Sequence, residues 1–586
     1  MTAIFRFLFN NPALILIAAA FAWAAGTVWT RAARSIEGEN EIVLRVCHWQ
    51  LETGYRDAIN ELGKDFSDDY FKRTGKRVTI IQDAIPETVY GQFVSTNLIG
   101  GTAPDLISVG LGLNGVIWRE YLNRYFVPLT SDINRPNPFN VGTELEGVPF
   151  KQTFVDGGRS SYNEELQNYM TVANSMHAIR LFYNVDLLEK LTGLRTPPKE
   201  WNAFLALCEK IKSQKKPDGT RYTPVASSKY HFGFGWAGTV ADPLTWTLLK
   251  KADFNRDGYV SSEETFAAIK SGRLKFDDPA IRARYAIITQ LMPTFPEGWT
   301  GKARDETVFL FAQQRAVFIP TGTWDARSLQ QQAIDADGKR IFEVGIIDFP
   351  YPTTQDPVYG PFALGPRYDR PLPWGGFGIT RTCKHPDVAF EFLQYITSLK
   401  GNEKFCRIVG WIPVVKGAAI PESLRSFKPT LRGMYGNFTP FVGGETSVKF
   451  EQLTDVFLAG RITFDEMVKQ YTPAYLIMGE KDYTLAKRDW KRGSLGSEQF
   501  LVAMRESLKT VPAERQREML WRYASLTARR QLFPTVDRAY QVKLIADSGK
   551  KSGEGTVQLP APYELSAAAR SRAKEKLRKT FALESN

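Results

Sequence analysis

Short apolar runs rich in β-branched residues alternate with longer amphipathic stretches from residue 42 to residue 125. The runs have the length of strands, and the stretches repeat apolar residues every three or four positions, as helices do. In chain order we predict strand 42–49, helix 54–74, strand 77–82, helix 87–100, strand 105–109 and helix 116–125. Alternation of this kind is typical of a parallel sheet flanked by helices.

A second series of predicted elements follows between residues 178 and 471. It comprises strand 178–183, helices 200–212 and 279–292, strand 316–320, helix 325–333, strand 342–348, the apolar segment 374–380, helix 386–397 and further helices. Two α/β lobes fit this order and this length. The predicted fold class is therefore α/β with two lobes.

The N-terminus carries a long apolar run, with no charged side chain from residue 7 to residue 30. Its length suits either a bilayer-spanning helix or the core of a signal peptide. Ala22 and Ala24 offer a cleavage site, whereas Arg31 just beyond the run disfavours translocation. We predict that residues 1–35 form a signal peptide or a membrane anchor and that the rest of the chain is exported.

Composition and charge exclude several classes of protein. With 43% hydrophobic and 13% aromatic residues, the 586-residue chain is not wholly disordered. Its formal charge is +12, but residues 481–586 hold 22 basic and 12 acidic residues, which leaves +2 for the first 480. A near-neutral body disfavours nucleic acid as a partner. Four cysteines exclude a disulfide-built scaffold, and none forms a C-x-x-C pair (Cys47, Cys208, Cys383 and Cys406).

The basic segment 481–586 is predicted to be helical at 497–510, 512–530 and 564–582, with a Gly, Ser and Pro-rich linker at 547–562. In the last helix a thin apolar stripe runs among six basic residues, through Leu565, Ala569, Ala573, Leu577 and Phe581. Two interpretations stand. The helix contacts an anionic membrane surface or a partner protein, or it is a solvated helix packed lightly on a lobe.

Several motifs occur in register over some 430 residues. They are LRVCHW (44–49), GGTAPDLISV (100–109), RLFYNVDLLEKLTGLRTPPKEW (180–201), PTGTWD (320–325), DFPYP (348–352), and WGGFGIT (374–380) followed by KHPDVAFEFLQYIT (384–397). On these motifs the chain from about residue 42 to 471 resembles the family 1 extracellular solute-binding proteins of ABC importers, the group that includes maltose-binding protein.

The resemblance implies a two-lobe periplasmic-binding-protein fold of type II, with a ligand held in a cleft between lobes that close on binding. Lobe 1 is expected at 42–173 and 371–440, and lobe 2 at 174–370 and 441–480. The N-terminal apolar helix and the helical C-terminal extension 481–586 lie outside the lobes.

The same resemblance implies a receptor that captures a sugar or oligosaccharide and delivers it to ABC permease subunits. Such a receptor lies in the periplasm or is anchored to the outer face of the cytoplasmic membrane. Membrane contact is expected from the N-terminal helix and the basic C-terminal helix. Longer loops than the family's, notably 134–172, leave the solute open, because loops near a binding site set specificity.

Flat aromatic rings bury the C–H faces of sugars, while neighbouring polar groups hold the hydroxyls. Two tryptophans lie on turns that match the family and Trp49 ends the first strand, whereas Trp236 is a looser candidate. The predicted ligand-binding residues are Trp49, Glu87, Tyr90, Ser108, Gly110, Trp236, Trp324, Trp374 and Gly375. The alternative for each tryptophan is a role in packing only.

Two other functions stay open. Residues 110–115 read G-x-G-x-x-G after a predicted strand, as in a dinucleotide-dependent enzyme. This is the third βα unit rather than the first, and no acidic residue ends the next strand, so a flexible loop explains the glycines equally well. A membrane-tethered glycan-binding or signalling scaffold is the other alternative. No catalytic constellation is found, and we predict that the chain is not an enzyme.

Residues 253–264, DFNRDGYVSSEE, match the calcium loop of an EF-hand. Oxygen ligands stand at positions 1, 3, 5, 9 and 12, a glycine at position 6 and a backbone carbonyl ligand at position 7. The predicted ligands are Asp253, Asn255, Asp257, Tyr259, Ser261 and Glu264. Because the loop is single, we expect a structural calcium ion rather than a sensor. The alternative is an elongated hairpin whose acidic residues serve solubility.

Overall fold

The computed structural model describes residues 38, 40–110, 115–163, 166, 168–369, 376–427, 429–430, 433–552, 571–572 and 575. The chain divides into two compact units. Unit 1 comprises Met1–His177 and Leu372–Leu424, and unit 2 comprises Ala178–Pro371 and Arg425–Asn586. The predicted N-terminal helix, Trp374, Gly375 and most of the predicted helix 564–582 lie outside the described residues.

The strands are β1 (Glu41–His48), β2 (Arg77–Ala84), β3 (Leu106–Ser108), β4 (Tyr162–Asn163), β5 (Asn168–Tyr169), β6 (Ile179–Asn184), β7 (Thr223–Val225), β8 (Ala316–Gly322), β9 (Val344–Ile347) and β10 (Phe377–Ile379). They form two four-stranded sheets and one small hairpin. The four-stranded sheets belong to different units, so each unit has a core of its own.

The helices of unit 1 are α1 (Tyr55–Thr74), α2 (Glu87–Gly100), α3 (Gly115–Tyr125), α4 (Phe150–Thr153), α13 (Pro386–Ile396) and α14 (Leu399–Val409). Those of unit 2 are α5 (Val185–Thr192), α6 (Trp201–Ser213), α7 (Lys229–His231), α8 (Leu249–Ala252), α9 (Ser262–Lys270), α10 (Pro279–Leu291), α11 (Arg304–Ala312), α12 (Thr323–Gln332), α15 (Gly444–Leu458), α16 (Phe464–Ser507) and α17 (Ala513–Ser552). A π-helix spans Phe232–Ala241.

The sheet of unit 1 has the strand order β10-β3-β1-β2. β1 pairs in parallel with β2 and β3, as the alternating pattern predicts, whereas β10 is antiparallel to β3. The buried face of α1 packs closely on β2, since a Cβ on Gly63 would stand 2.9 Å from Cγ1 of Ile80.

The sheet of unit 2 has the order β7-β8-β6-β9, and it is mostly antiparallel. β6 is antiparallel to both β8 and β9, and only the β7–β8 pair is parallel in this sheet. The sequence predicted an α/β lobe here without a strand direction, and the antiparallel pairing of β6 supplies that direction. β6 is the first element of unit 2 and directly follows the last residue of the first segment of unit 1. No crossover helix of unit 2 precedes β6, so none determines the direction of this strand.

The segment 425–440, predicted to belong to lobe 1, clusters with unit 2. Met434 forms a parallel bridge with Arg367. The Asn437 side-chain oxygen accepts a hydrogen bond from the Val260 N–H at 3.3 Å. This segment has little regular structure, so its own sequence carries no periodicity that could assign it to either unit.

The predicted boundary at residue 480 falls inside α16, which runs unbroken from Phe464 to Ser507. α16 and α17 form an antiparallel pair, and the ring of Phe533 lies 5.2 Å from the rings of both Tyr483 and Trp490. Phe533 belongs to the core of unit 2. The first 70 or so residues of the extension are thus part of unit 2. Across the described ranges, no helix combines the length and the apolar character needed to span a bilayer.

Candidate functional site

The C-terminal end of β3 borders a cavity of unit 1 with a volume of about 270 Å³. Its lining residues are Val109, Gly110, Leu122, Ser160, Ser161, Tyr162, Asn163, Met170, Thr171, Ala173 and Gly376. Ligands of open α/β sheets bind outside the carboxyl ends of strands. A concave site with apolar walls and a few polar groups suits a small organic solute.

Two glycines shape the cavity. Gly110 has a φ of 128°, a conformation that L side chains rarely adopt, and a Cβ there would meet no atom within 4 Å. Gly376 lies so close to its neighbour strand that a Cβ would stand 3.0 Å from Oγ1 of Thr171. The N–H of Val109 donates to the carbonyl of Gly376 at 3.0 Å, which ties the end of β3 to this glycine.

The β4–β5 hairpin supplies the polar wall of the cavity. The rings of Tyr162 and Tyr169 lie 5.0 Å apart, and the Met170 N–H donates to the Ser161 carbonyl at 3.0 Å. The Ser161 side-chain hydroxyl is buried and has no hydrogen-bond partner among the described residues. A buried polar group without a partner is costly, and a ligand hydroxyl would supply the missing partner.

Four cavity-lining residues were not predicted from the sequence as ligand-binding residues, namely Ser161, Tyr162, Asn163 and Thr171. The one signal that pointed to them was the length of the loop 134–172. The hairpin strands have two residues each, too short for a periodic pattern to show.

Of the residues predicted for unit 1, Gly110 lines the cavity, whereas Trp49, Tyr90 and Ser108 pack behind the end of β3. The Tyr90 hydroxyl donates to the Ser108 carbonyl at 2.6 Å. The ring of Trp49 meets the ring of Tyr90 edge-on at 5.1 Å. Burial raises the pKa of Tyr90 well above its usual value, so its hydroxyl remains a donor. Glu87 is exposed in the first turn of α2.

In unit 2, Trp324 lies at the start of α12 and is half-buried. Its ring covers the backbone of Gly322, since a Cβ there would stand 2.3 Å from Cζ3 of the ring. The carboxylate of Asp325 accepts hydrogen bonds at 2.5 Å from the Thr321 hydroxyl and from Arg304. This turn therefore holds the indole in one place.

Trp236 lies in the π-helix and is 1% exposed. Its ring is enclosed by other core aromatics, and the ring of Phe349 meets it at 4.9 Å and 82°. In this conformation Trp236 has a role in core packing, which was the alternative to ligand binding. Of the residues 110–115 that resemble a dinucleotide motif, 111–114 lie outside the described residues.

The loop 253–264 carries many hydrogen bonds from its own backbone. Asp253 accepts from the N–H groups of Asp257 at 3.2 Å and Gly258 at 2.9 Å, and Gly258 has a φ of 88°. Asp257 accepts from the Tyr259 N–H at 2.9 Å. The Tyr435 hydroxyl donates to the carbonyl of Gly258, so the loop is also held from outside.

Glu264 is fully buried at the start of α9. Its carboxylate accepts from the N–H groups of Phe254 at 2.8 Å and Asn255 at 3.1 Å, and it forms a capping box with Ser261. Burial raises the pKa of Glu264 to about 8. Within the part of the chain that the structure describes, no group of three or more His, Cys, Asp or Glu residues could hold a metal ion.

Three histidines are packed into the units. His48 Nε2 lies 2.9 Å from Oε1 of Gln82, and His231 Nδ1 lies 2.9 Å from the Ser228 hydroxyl. Burial lowers the pKa of His48 and of His177 to about 4 and that of His231 to about 3, so all three are neutral at pH 7. The four cysteines are buried and free, and no disulfide joins them.

Comparison with known proteins agrees with this architecture. The multiple sugar-binding protein of Streptococcus mutans is 22% identical over 364 residues, which are 59% of this chain and 70% of that protein. Among solved structures, the solute-binding protein RafE in complex with raffinose covers 75% of this chain and 99% of its own, with 16% identity and a TM-score of 0.51. The bacterial solute receptor AcbH, with a preference for β-D-galactopyranose, covers 76% and 100%, with 16% identity and a TM-score of 0.50.

These structural likenesses confirm the predicted two-lobe α/β fold. The family profile of bacterial extracellular solute-binding proteins matches residues 65–426, which is more than half of the chain. The match covers β3, the cavity and the turn that carries Trp324. The chain belongs to the family of bacterial extracellular solute-binding proteins.

Proposed function

We propose that this protein is an extracytoplasmic receptor that captures a sugar or short oligosaccharide for delivery to an ABC permease. The family supports solute capture, and the relatives that bind sugars support the substrate class. The observation that carries the proposal is the buried hydroxyl of Ser161, a cavity-lining residue of unit 1, which has no hydrogen-bond partner within the described part of the chain.

The chemistry of the cavity suits a sugar ring. Ser161, Asn163 and Thr171 offer hydroxyl and amide groups to sugar hydroxyls, while Leu122 and Met170 offer apolar surface to the C–H groups. We therefore expect the ligand to form its polar contacts with residues in and beside the β4–β5 hairpin. We also propose that the half-buried ring of Trp324 in unit 2 contacts a sugar.

A thermal-shift panel of monosaccharides, oligosaccharides and polyols tests the proposal on the full chain. We expect at least one sugar to raise the melting temperature, and Ser161→Ala to weaken its binding about 5- to 10-fold, as for the loss of a hydrogen bond of about 1 kcal/mol. The ligand-free variant should be as stable as the wild type or more so, because the substitution removes a buried hydroxyl that bonds to none of the described residues. Ser131→Ala, at an exposed serine of unit 1, is the control.

Two results would count against the proposal. If no sugar stabilises the wild type, the carbohydrate class is wrong. If a sugar stabilises wild type and Ser161→Ala alike, this cavity does not hold it. We also propose that the protein binds its solute without converting it, as its family of binding proteins supports. Recovery of the bound sugar unchanged after prolonged incubation is the expected result.

We further propose that the loop 253–264 takes a structural calcium ion. Its donor set consists only of oxygen atoms, which calcium prefers, and Gly258 supplies the sharp turn at position 6. In the described conformation Asp253 and Glu264 accept hydrogen bonds from the loop's own N–H groups. Calcium would have to replace those donors, which fits a weak site of roughly 10⁻⁴ to 10⁻³ M.

Membrane contact by the N-terminal segment 1–35 and by the basic segment 564–582 is also proposed. The supporting observations are the uncharged run in the first segment and the apolar stripe among basic residues in the second. Removal of residues 553–586 should weaken binding of the protein to vesicles that contain phosphatidylglycerol. Equal binding before and after removal would overturn the proposal for the second segment.

A further inference from the structure

The distal part of the α16–α17 hairpin, residues 487–530, is strongly basic. It holds 11 basic and 5 acidic residues, a net charge of +6, which is half of the formal +12 of the whole chain. None of these residues lines the cavity of unit 1, so solute capture leaves this charge without a role. We call residues 487–530 the hairpin tip.

The hairpin tip has buried apolar side chains of its own. Met504 in α16, Leu508 directly after α16 and Leu526 in α17 are buried. An ion pair of 2.5 Å joins Arg530 to Glu498 across the two helices. The helices therefore stay paired beyond the core of unit 2. The side chains that are not buried between them are exposed to solvent.

Large apolar side chains of the hairpin tip are exposed. Phe500 is 37% exposed, Val502 63% and Trp521 41%. Because residue 498 pairs with residue 530, residues 500–502 and 521 lie toward the turn of the hairpin. Exposed arginines and a lysine flank them on the same stretch, at Arg505, Lys509, Arg515 and Arg517.

We infer that the hairpin tip docks on an anionic lipid surface. Lys and Arg side chains near such a surface contribute roughly 1 kcal/mol each, and exposed apolar side chains add burial in the headgroup region. Tryptophan is favoured there because its ring is apolar and its N–H is polar. The inference goes beyond the proposed capture of a solute, and it concerns a surface separate from segments 1–35 and 564–582.

Charge favours lipid as the occupant. The basic residues are spread along both helices rather than gathered at one pocket, and a membrane surface is an extended anionic plane that matches such a spread. The apolar residues are few and stand apart, which suits shallow insertion more than a packed protein interface, whose core is continuous.

Co-sedimentation of the full chain with vesicles tests the inference. Wild type should bind vesicles of 30% phosphatidylglycerol in phosphatidylcholine more tightly than pure phosphatidylcholine, and 0.5 M salt should release it. The double variant Arg515→Gln with Arg517→Gln should bind the anionic vesicles about ten-fold more weakly. The matched control, Lys72→Gln with Lys76→Gln, removes the same charge from exposed positions of unit 1 and should change binding less than two-fold.

A second variant, Val502→Glu, places a charge at an exposed apolar position and should also weaken binding, with an unchanged melting temperature. Equal losses in the hairpin variant and the Lys72 and Lys76 control would mean that net charge alone acts, and would overturn the inference. Equal binding to neutral and anionic vesicles would overturn it as well. Tight binding only to vesicles that carry an acidic permease would assign the tip to a protein partner instead.

Discussion

The indole ring of Trp324 lies over Gly322 so closely that a Cβ on that glycine would stand 2.3 Å from Cζ3 and 2.4 Å from Cη2 of the ring. No side chain can be added there unless the ring moves. Gly322 is the last residue of β8 and its own φ of −101° is open to any residue, so the glycine is needed for space alone.

Gly322→Ala is therefore expected to displace the Trp324 ring while β8 still forms. Forcing one methyl group into a packed site costs about 1 to 3 kcal/mol. If Trp324 contacts the sugar, affinity for any sugar found in the panel should fall about ten-fold or more, as it should in Trp324→Ala. Calorimetric titration measures this. Gly365→Ala, where a Cβ would meet no atom within 4 Å, is the control and should bind as wild type.

Calcium should stabilise the protein through the loop 253–264. At 10 mM calcium, a site of roughly 10⁻⁴ to 10⁻³ M would raise the free energy of unfolding by about 1.4 to 2.7 kcal/mol. Glu264→Gln should abolish this increase. Asp335→Asn, in another turn of unit 2 where the carboxylate accepts from loop N–H groups, should retain it. Identical melting in calcium and in chelator would refute the site.

Acid should destabilise the protein because His48 and His231 are buried in their neutral forms. Their folded pKa values, about 4 and about 3, lie below the usual 6.5. Their contribution to stability is complete above pH 6.5 and is lost as the pH falls toward the folded pKa, because only the unfolded chain takes up protons readily.

From pH 7 to pH 5 we expect each of these histidines to cost about 1 to 2 kcal/mol of unfolding free energy. Urea unfolding of His48→Gln and His231→Gln at both pH values should show a smaller loss than wild type. His385→Gln, at the partly exposed histidine before α13, should show the wild-type loss. A wild-type stability that does not change between pH 7 and pH 5 would contradict this prediction.

The C-terminal helices should support the stability of unit 2. Phe533 is 1% exposed and packs between the rings of Tyr483 and Trp490. Phe533→Ala should lower the free energy of unfolding by about 3 to 5 kcal/mol. Trp521→Ala, on the exposed face of the same helix, should change it by less than about 0.5 kcal/mol. Equal melting of the two variants would show that α17 is only loosely attached.

Much of the fold follows from periodicity in the sequence. The predicted helix 87–100 coincides with α2, and the predicted strand 42–49 lies one residue from β1. Periodicity does not report strand direction, so the antiparallel pairing of β6 with β9 could not be predicted from it. Helices 497–510 and 512–530 were predicted as short pieces, yet they belong to the two long helices α16 (Phe464–Ser507) and α17 (Ala513–Ser552).

The site was harder to predict than the fold. Gly110 lines the cavity, and a glycine after a strand is a local signal that sequence does carry. Ser161 and Asn163 lie in or beside a strand of only two residues, and a contact between segments more than 50 residues apart brings them to the end of β3. Trp236 and Trp49 show the reverse case, because residue type alone does not separate a ring that meets ligand from one enclosed in a core.

The interleaving of the two units along the chain sets an order for their folding. Unit 1 has all of its chain once Leu424 is available, whereas the core of unit 2 includes Phe533 and Val536, more than 100 residues later. At roughly 5 to 20 residues per second, synthesis of that interval takes on the order of ten seconds. During this time α17 is not yet complete, so the apolar faces of α9 and α16 that it covers remain exposed. Unit 2, not the unit that carries the cavity, is therefore the one that needs protection from aggregation while the chain is being made.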